Sequence, residues 1–345
     1  MATLHDVARA ADVSTATVSR VLNTPERVIE TTRLRVQAAV EALDYRPNRV
    51  ASLLRSGRTG SIGLLVPDLE NPYFAGIAKG AQARAHAFGL TTLLVDSDES
   101  PERETELFDM LQQQTDGIVL CSPRAIDHDF TVTGDAPVVL INANHAGVSS
   151  INIDYIAVMV KVVEHLRALG HRRMAYIGGP QSSWTDQMRH EGISQAHETY
   201  EDVDIVDLGS FAPRVSGGVA AADLAAASGA TAVIAYNDLV AIGLLNQLTR
   251  RGVRVPQQIS IVGCDDTFVA EFASIPLTTV HVDLASMGAK AVDILTHQMP
   301  GSPQPRAAAS QPPISNELIV RASTGPALPA RQHPGPRIDT NGAHW

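Results

Sequence analysis

The chain changes its hydrophobic rhythm near residue 60. Before that point the apolar positions Val7, Val13, Val18, Val21, Val36, Val40 and Leu43 fall at helical spacing, and residues 3–45 read as three short helices. Thr3 precedes the first, with Asp6 three residues on in the spacing of a capping box. Ser14 can cap the second, over 15–22, and Asn23, Thr24 and Pro25 end it. The third is expected over 31–43. Ile29 precedes it and offers no capping oxygen, so this helix is expected to start late or to lose about 1 kcal/mol. Pro47 stops the chain, residues 48–55 form a short helical candidate, and Ser56 to Gly60 read as a linker.

Beyond Gly60, apolar strand-like runs alternate with helical segments. The strands expected are 62–66, 91–95, 117–120, 138–141, 174–177, 205–208, 232–236, 259–263 and 278–282, with helices such as 74–88, 101–114, 156–169, 215–227 and 239–251 between them. Near-continuous apolar strands are those covered on both faces of a parallel sheet. So many strands, over roughly 260 residues, fit two such subdomains better than one. The fold class is therefore α/β: an all-α head on residues 1–60, a two-subdomain body on 61–322, and a tail on 323–345. Pro, Ala and Gly dominate that tail without periodicity, and it is expected to be disordered.

Composition narrows the function. No apolar run reaches the ~18 residues of a membrane-spanning helix, and residues 1–11 lack the apolar stretch of a secretory signal. A cytoplasmic protein with no membrane partner is expected. Cys121 and Cys264 each stand alone in an apolar run and read as buried small hydrophobes. The net charge of −10 argues against nucleic acid, but residues 1–60 hold nine Arg against six Asp and Glu, a balance of +3 that leaves −13 on the rest. A basic head on an acidic body points to a DNA-binding module, though weakly. No glycine-rich dinucleotide or phosphate loop, nucleophile elbow or zinc-protease motif occurs, and the 12 His include no pair four apart in a helix. Neither enzyme activity, cofactor nor metal is expected.

Helix, tight turn and helix within about twenty residues form a helix-turn-helix, or else an ordinary three-helix cap; spacing alone does not choose. As a DNA reader, the second helix would offer Thr15, Ala16, Ser19 and Arg20 to the major groove, with Ser14, Thr17 and Ser19 within reach of phosphates. The run Leu4-His5-Asp6-Val7-Ala8-Arg9, the run from Val13 through Ser14, Thr15, Ala16, Thr17, Val18, Ser19, Arg20, Val21 and Leu22 to Asn23, and the stretch Tyr45-Arg46-Pro47-Asn48-Arg49-Val50-Ala51 resemble the head of the lac repressor (LacI/GalR) family. The resemblance extends to about residue 322. It implies that Thr15, Ala16 and Arg20 read bases. It also implies that 48–55, with Asn48, Arg49 and Arg55, is a hinge helix entering the minor groove, and that Leu54 wedges between base pairs. Eight residues are too few for a helix stable alone in water, so it would fold on DNA. Asp12 stands where the family often has Gly; Asp tolerates a left-handed turn.

For the body, the resemblance implies a fold similar to periplasmic sugar-binding proteins, with a cleft at the carboxyl ends of the strands. Family ligand positions match Asn237 in Tyr236-Asn237-Asp238, Asp265 in Gly263-Cys264-Asp265-Asp266, and Arg189 in the segment after Trp184. Phe211 matches the usual stacking aromatic; Tyr73 or Phe74, and more weakly Asn142, can line the pocket. Asp238 is read as the cap of the following helix, Asp266 as a turn residue, His171 as structural, and Trp184 as a possible source of specificity. The function that follows is a regulator, read as a repressor. It would bind a near-palindromic operator in double-stranded DNA as a homodimer and respond to a small effector, a sugar by preference. Two alternatives stand: the same regulator with a purine or anionic metabolite, and a soluble sugar-binding protein with a vestigial head. The tail lacks the leucine heptads of a tetramerising helix, so a dimer is expected.

Overall fold

The computed structural model describes residues 2–23, 25–45, 58–125, 130, 136–300, 314 and 316–328. The chain divides into two compact units, residues 1–59 and 60–345. The candidate hinge 48–55, with Asn48, Arg49, Leu54 and Arg55, lies outside the described residues.

The head holds helices α1 (Leu4–Ala10), α2 (Thr15–Asn23) and α3 (Glu30–Ala42). The capping box at Thr3 forms: its side chain accepts from the Asp6 N–H, and the Asp6 carboxylate accepts from the Thr3 N–H at 2.9 Å. The Thr3 hydroxyl, which donates to the same carboxylate at 2.7 Å, and then the Thr3 N–H hold the Asp6 carboxyl below its usual range. Ser14 caps α2 by accepting from the Thr17 N–H at 3.1 Å, and Asp12 adopts φ +48° in the turn between α1 and α2. Val7, Ala8, Ala11, Val18, Val21, Val36 and Ala39 close the head's core. Ile29 occupies the N-cap of α3 without a side-chain hydrogen bond; of the two outcomes expected, the late start is corrected, since the helix begins directly after it. Leu43, placed on the buried face by periodicity, is exposed because the helix ends at Ala42 and Ala39 fills the core instead.

In the body, a five-stranded parallel sheet takes the order β2-β1-β3-β4-β5, with β1 (Ser61–Val66), β2 (Thr91–Asp96), β3 (Ile118–Cys121), β4 (Val138–Ile141) and β5 (Ser149–Ile151). Helices α4 (Pro72–Ala87), α5 (Pro101–Gln114) and α11 (Leu284–Gln298) cover it. A second parallel sheet has the order β7-β6-β8-β9, from β6 (Arg173–Gly178), β7 (Asp204–Ser210), β8 (Ala232–Ala235) and β9 (Ser260–Val262). Its helices are α6 (Tyr155–Ala168), α7 (Trp184–Thr199), α8 (Val215–Ala227) and α9 (Asp238–Arg250), with the short α10 (Phe268–Glu271) after β9. An antiparallel pair, β10 (Thr279–Val282) with β11 (Asn316–Ile319), completes the described elements. One buried cluster runs through both lobes and includes Val66 and Ile141 of the first and Tyr176 and Ile234 of the second. Both cysteines are buried and free.

Five of these helices and strands were not anticipated: α7, α10, α11, β5 and β11. Residues 323–328, expected to begin the tail, belong to the body. Ser323 is fully buried. Its hydroxyl donates to the Ile261 carbonyl at 2.6 Å and accepts from the Thr278 N–H at 2.8 Å, while its backbone carbonyl accepts from the Ile261 N–H at 2.8 Å. The Gly325 carbonyl lies 3.0 Å from His171 Nε2, and the Ala327 N–H donates to the Leu169 carbonyl at 2.8 Å. This stitching gives His171 its structural role, and burial, acting first, depresses its pKa.

Candidate functional site

Parallel strands deliver their following loops to one edge, and in this body the two edges face each other across a cleft. The loop after β1 supplies Asn71 and the first turn of α4 Tyr73 and Phe74; the loop after β2 supplies Glu99, that after β3 Ser122 and Arg124, and that after β4 Asn142. From the second lobe come Thr185 and Arg189 of α7, Pro213 after β7, Tyr236 and Asn237 after β8, and Asp265 after β9; Tyr155 opens α6. The backbone at these strand ends is unusual. Among the described residues of the body, every non-glycine residue in the left-handed region lies just past a strand's carboxyl end: Asp98, Glu99, Ser122, Asn142, Asp265 and Asp266. Asp265, at φ +112°, is the most strained. Such outliers persist where surrounding structure fixes them, and they gather at binding sites.

Arg189 sits at the centre, 2% exposed. Its guanidinium lies between the rings of Tyr155 and Tyr236, 4.4 and 4.6 Å from their centroids. It donates to Thr185 Oγ1 at 3.1 Å and to Cys264 Sγ at 3.4 Å, while its Nε–H has no partner. Tyr236 reaches this place because residue 179 is glycine: a Cβ there would stand 2.4 Å from the ring. Its hydroxyl bonds Ser183 Oγ at 2.9 Å and Thr185 Oγ1 at 3.1 Å. Across the cleft, Asn142 Nδ2 donates to the Tyr73 hydroxyl at 2.7 Å, leaving Asn142 Oδ1 unpartnered. Tyr73 stays protonated because burial, and then the charge of Asp265, raise its pKa. Arg124 is engaged with its own lobe, forking onto Glu99 at 2.6 and 3.1 Å.

Asp265 is 5% exposed. Burial raises its pKa well above the usual range, and the nearby Asp238 raises it further. Asp238 is not the helix cap. Asn237 caps α9 by accepting from the Val240 N–H at 2.9 Å and donates to the Pro213 carbonyl at 2.9 Å. The Asp238 carboxylate instead accepts from Thr279 Oγ1 at 2.6 Å, the Thr267 N–H at 2.9 Å and Thr267 Oγ1 at 3.1 Å. Burial pushes its pKa up to about 7. Asp266 is more than a turn residue, since His281 Nδ1 at 2.9 Å and Arg321 at 2.7 Å both reach its carboxylate.

One further link ties the lobes. Arg214, at the start of α8, donates through Nε to Asp68 at 2.8 Å and through Nη2 to Asp98 at 2.5 Å, both in loops of the first lobe.

Of the seven cleft residues expected, Tyr73, Phe74, Asn142, Arg189, Asn237 and Asp265 line one pocket. Phe211 does not: its N–H is tied to the Gly178 carbonyl at 3.0 Å and its ring packs on the second lobe's core. Pro213 takes the place by the pocket. Sequence reasoning missed Tyr155, Tyr236, Thr185, Ser122, Arg124 and Glu99. Only Thr185 and Tyr236 carried a signal, by standing within segments already singled out. In the head, Ala16 and Arg20 are exposed one turn apart on α2, with Thr15 and Ser19 half-buried beside them. Val18 and Val21, on the opposite face, are buried.

A helix-turn-helix head and a two-lobed body with a polar pocket between parallel sheets define the class of ligand-responsive transcriptional regulators. Residues 3–48 match the bacterial regulatory proteins of the lacI family, and residues 163–324 match the periplasmic binding protein-like domain. The transcriptional regulator DegA of Bacillus subtilis is 32% identical over 336 residues, 94% of this chain and 98% of its own. Catabolite control protein A of Staphylococcus xylosus is 32% identical over 86% of this chain and 92% of its own. Among solved structures, a lac repressor dimer bound to operator and an anti-inducer aligns with TM-score 0.77 and 28% identity, over 94% of this chain and 99% of that one. The chain belongs to the lacI family of regulators: it is a DNA-binding transcriptional regulator with an effector-binding body, and not an enzyme.

Proposed function

We propose that this regulator controls transcription by binding a near-palindromic operator as a homodimer, and that its effector is a polyol, most simply a sugar. On this reading Thr15, Ala16 and Arg20 read base edges from the N-terminal part of α2 and its exposed face, while Ser14, Thr17 and Ser19 position the helix on phosphates. Asn48, Arg49, Leu54 and Arg55 complete the interface in the minor groove.

The observation that carries the effector reading is the set of buried polar groups left without partners at the cleft. Arg189 Nε–H is an unused donor, and Asn142 Oδ1 an unused acceptor. The Asp265 carboxylate faces the same pocket. Buried polar atoms are normally paired, so these await a ligand. One donor beside two acceptors suits hydroxyls, which both donate and accept. Tyr73, Phe74, Tyr155 and Tyr236 supply apolar faces for a ring. Ligand binding then shifts the population of lobe arrangements, and through the dimer, the spacing of the two heads.

Calorimetric titration of the full chain with a panel of sugars and then of purine nucleobases tests the effector class. Binding of a sugar, lost at least tenfold in Asp265→Ala, is the expected result. Tight binding of a nucleobase with no sugar binding would replace the polyol by a purine.

A further inference from the structure

Two consecutive carboxylates past β9 serve different sides of the molecule. Asp265 lines the pocket between the lobes, whereas Asp266 lines a separate opening with His281 and Asp283. There the Asp266 carboxylate takes His281 Nδ1, on β10, at 2.9 Å and Arg321 Nη2, just past β11, at 2.7 Å.

The strands that Asp266 grips are those that cross between the lobes. β10 starts in the second lobe, where Leu277 joins that lobe's core and the Thr278 carbonyl accepts from the Gly263 N–H at 2.8 Å. Its far end leads through Asp283 into α11, which packs on α4 of the first lobe. β11 returns antiparallel to it, with Leu318 opposite Val280, and the chain reaches Ser323, bonded to Ile261 of β9. A change of angle between the lobes must bend or slide this pair.

The grip is firm on both sides. Arg321 also donates from Nη1 to the Leu277 carbonyl at 2.9 Å, and its N–H donates to Thr278 Oγ1 at 2.9 Å. The Asp265 N–H donates to the Val280 carbonyl at 3.0 Å and the Asp266 N–H to Thr279 Oγ1 at 3.3 Å. The Asp266 and Arg321 side chains are 14% and 19% exposed, so solvent screens their pairing little. Charge-assisted bonds of this length are among the stronger ones. Asp265 and Asp266 hold φ +112° and +50°, a left-handed backbone that persists only where its surroundings fix it.

We propose that Asp266 is a positioning residue that couples the pocket to the hinge: it keeps Asp265 turned into the pocket and, through Arg321 and His281, holds the two crossing strands at the angle of the closed lobes. A ligand that pulls on Asp265 thereby acts on the strands that set the lobe angle, whatever the chemical class of that ligand.

Hydrogen–deuterium exchange of the full chain, with no ligand added, tests the coupling. Asp266→Asn removes the charge and keeps the shape. Peptides covering 279–282 and 316–321 should exchange roughly fivefold faster or more. The decisive peptides are the first-lobe loops 67–71 and 97–100, whose bonds run to Arg214 and not to Asp266. They should speed up as well, and Asp266→Glu, which retains the charge, should recover part of the protection. Arg321→Gln breaks the same grip from the hinge side and should give the same pattern, which keeps the test decisive if Asp266→Asn folds poorly. The double variant should exceed either single one by no more than about twofold, because both remove one interaction. Faster exchange confined to 263–268, 279–282 and 316–321, or no change anywhere, overturns the coupling and leaves Asp266 a local brace.

Discussion

Arg214 is the side chain whose removal most directly probes lobe closure. Its guanidinium spans the cleft mouth to Asp68 and Asp98. The two arms differ in value. Asp98 is 65% exposed and Arg214 itself 37%, so that arm is worth only about 0–1 kcal/mol after screening. The Asp68 side chain is 4% exposed. With Arg214→Ala, Asp68 keeps the Glu70 N–H at 2.8 Å and loses its counter-charge. A carboxylate stranded in a fully buried site costs ~3–5 kcal/mol. Here it can regain water once the lobes part, so the cost falls on the closed arrangement alone and is smaller. We expect the closed state to lose about 1–3 kcal/mol, a shift of roughly 5- to 150-fold in the opening equilibrium. Hydrogen–deuterium exchange of the full chain reads this directly. Peptides covering residues 67–71, 97–100 and 211–216 should exchange faster by that factor, those within β1 and β6 should not change, and Arg214→Lys should recover part of the protection. Unchanged exchange at all three loops would refute the latch.

Two further predictions concern stability. Ile29→Asp gives α3 the cap it lacks; since Ile29 is 76% exposed, no burial is lost. The head should gain about 1 kcal/mol, or roughly 4–8 °C in the head's melting midpoint by circular dichroism, and no gain would mean the cap geometry is wrong. Asp238 supplies a pH signature. Its folded pKa, raised to about 7, exceeds the usual value of 3.8, so the native state binds the proton more tightly. Its contribution to stability is present in acid and lost as pH rises from about 4 through 7. Asp238→Asn should therefore gain on the parent in thermal shift between pH 5 and pH 8; a constant difference across that range would contradict the assignment.

The parallel sheets were legible because their strands are continuous apolar runs, and the capping box at Thr3 because its spacing is local. Helix α7 was missed because its buried face includes Thr185, Asp186 and Arg189, which break any apolar period. Arg124 left no trace either, since it is buried by a pairing with Glu99 twenty-five residues earlier. Residues 323–328 looked like the start of a tail because backbone bonds and one serine hydroxyl hold them, with little apolar content. Asp265 and Arg189 were found by resemblance; the tyrosines that sandwich Arg189 come from α6 and the end of β8, a meeting only the fold creates.

The central claim, that α2 reads DNA on behalf of a two-fold dimer, is tested most directly by selecting binding sites from random double-stranded DNA with the full chain at fixed salt. The account predicts enrichment of a two-fold-symmetric sequence, with discrimination at one position per half-site relaxed by about 1–3 kcal/mol in Arg20→Ala. Selection of no symmetric site, or the same site with undiminished discrimination in Arg20→Ala, would contradict it.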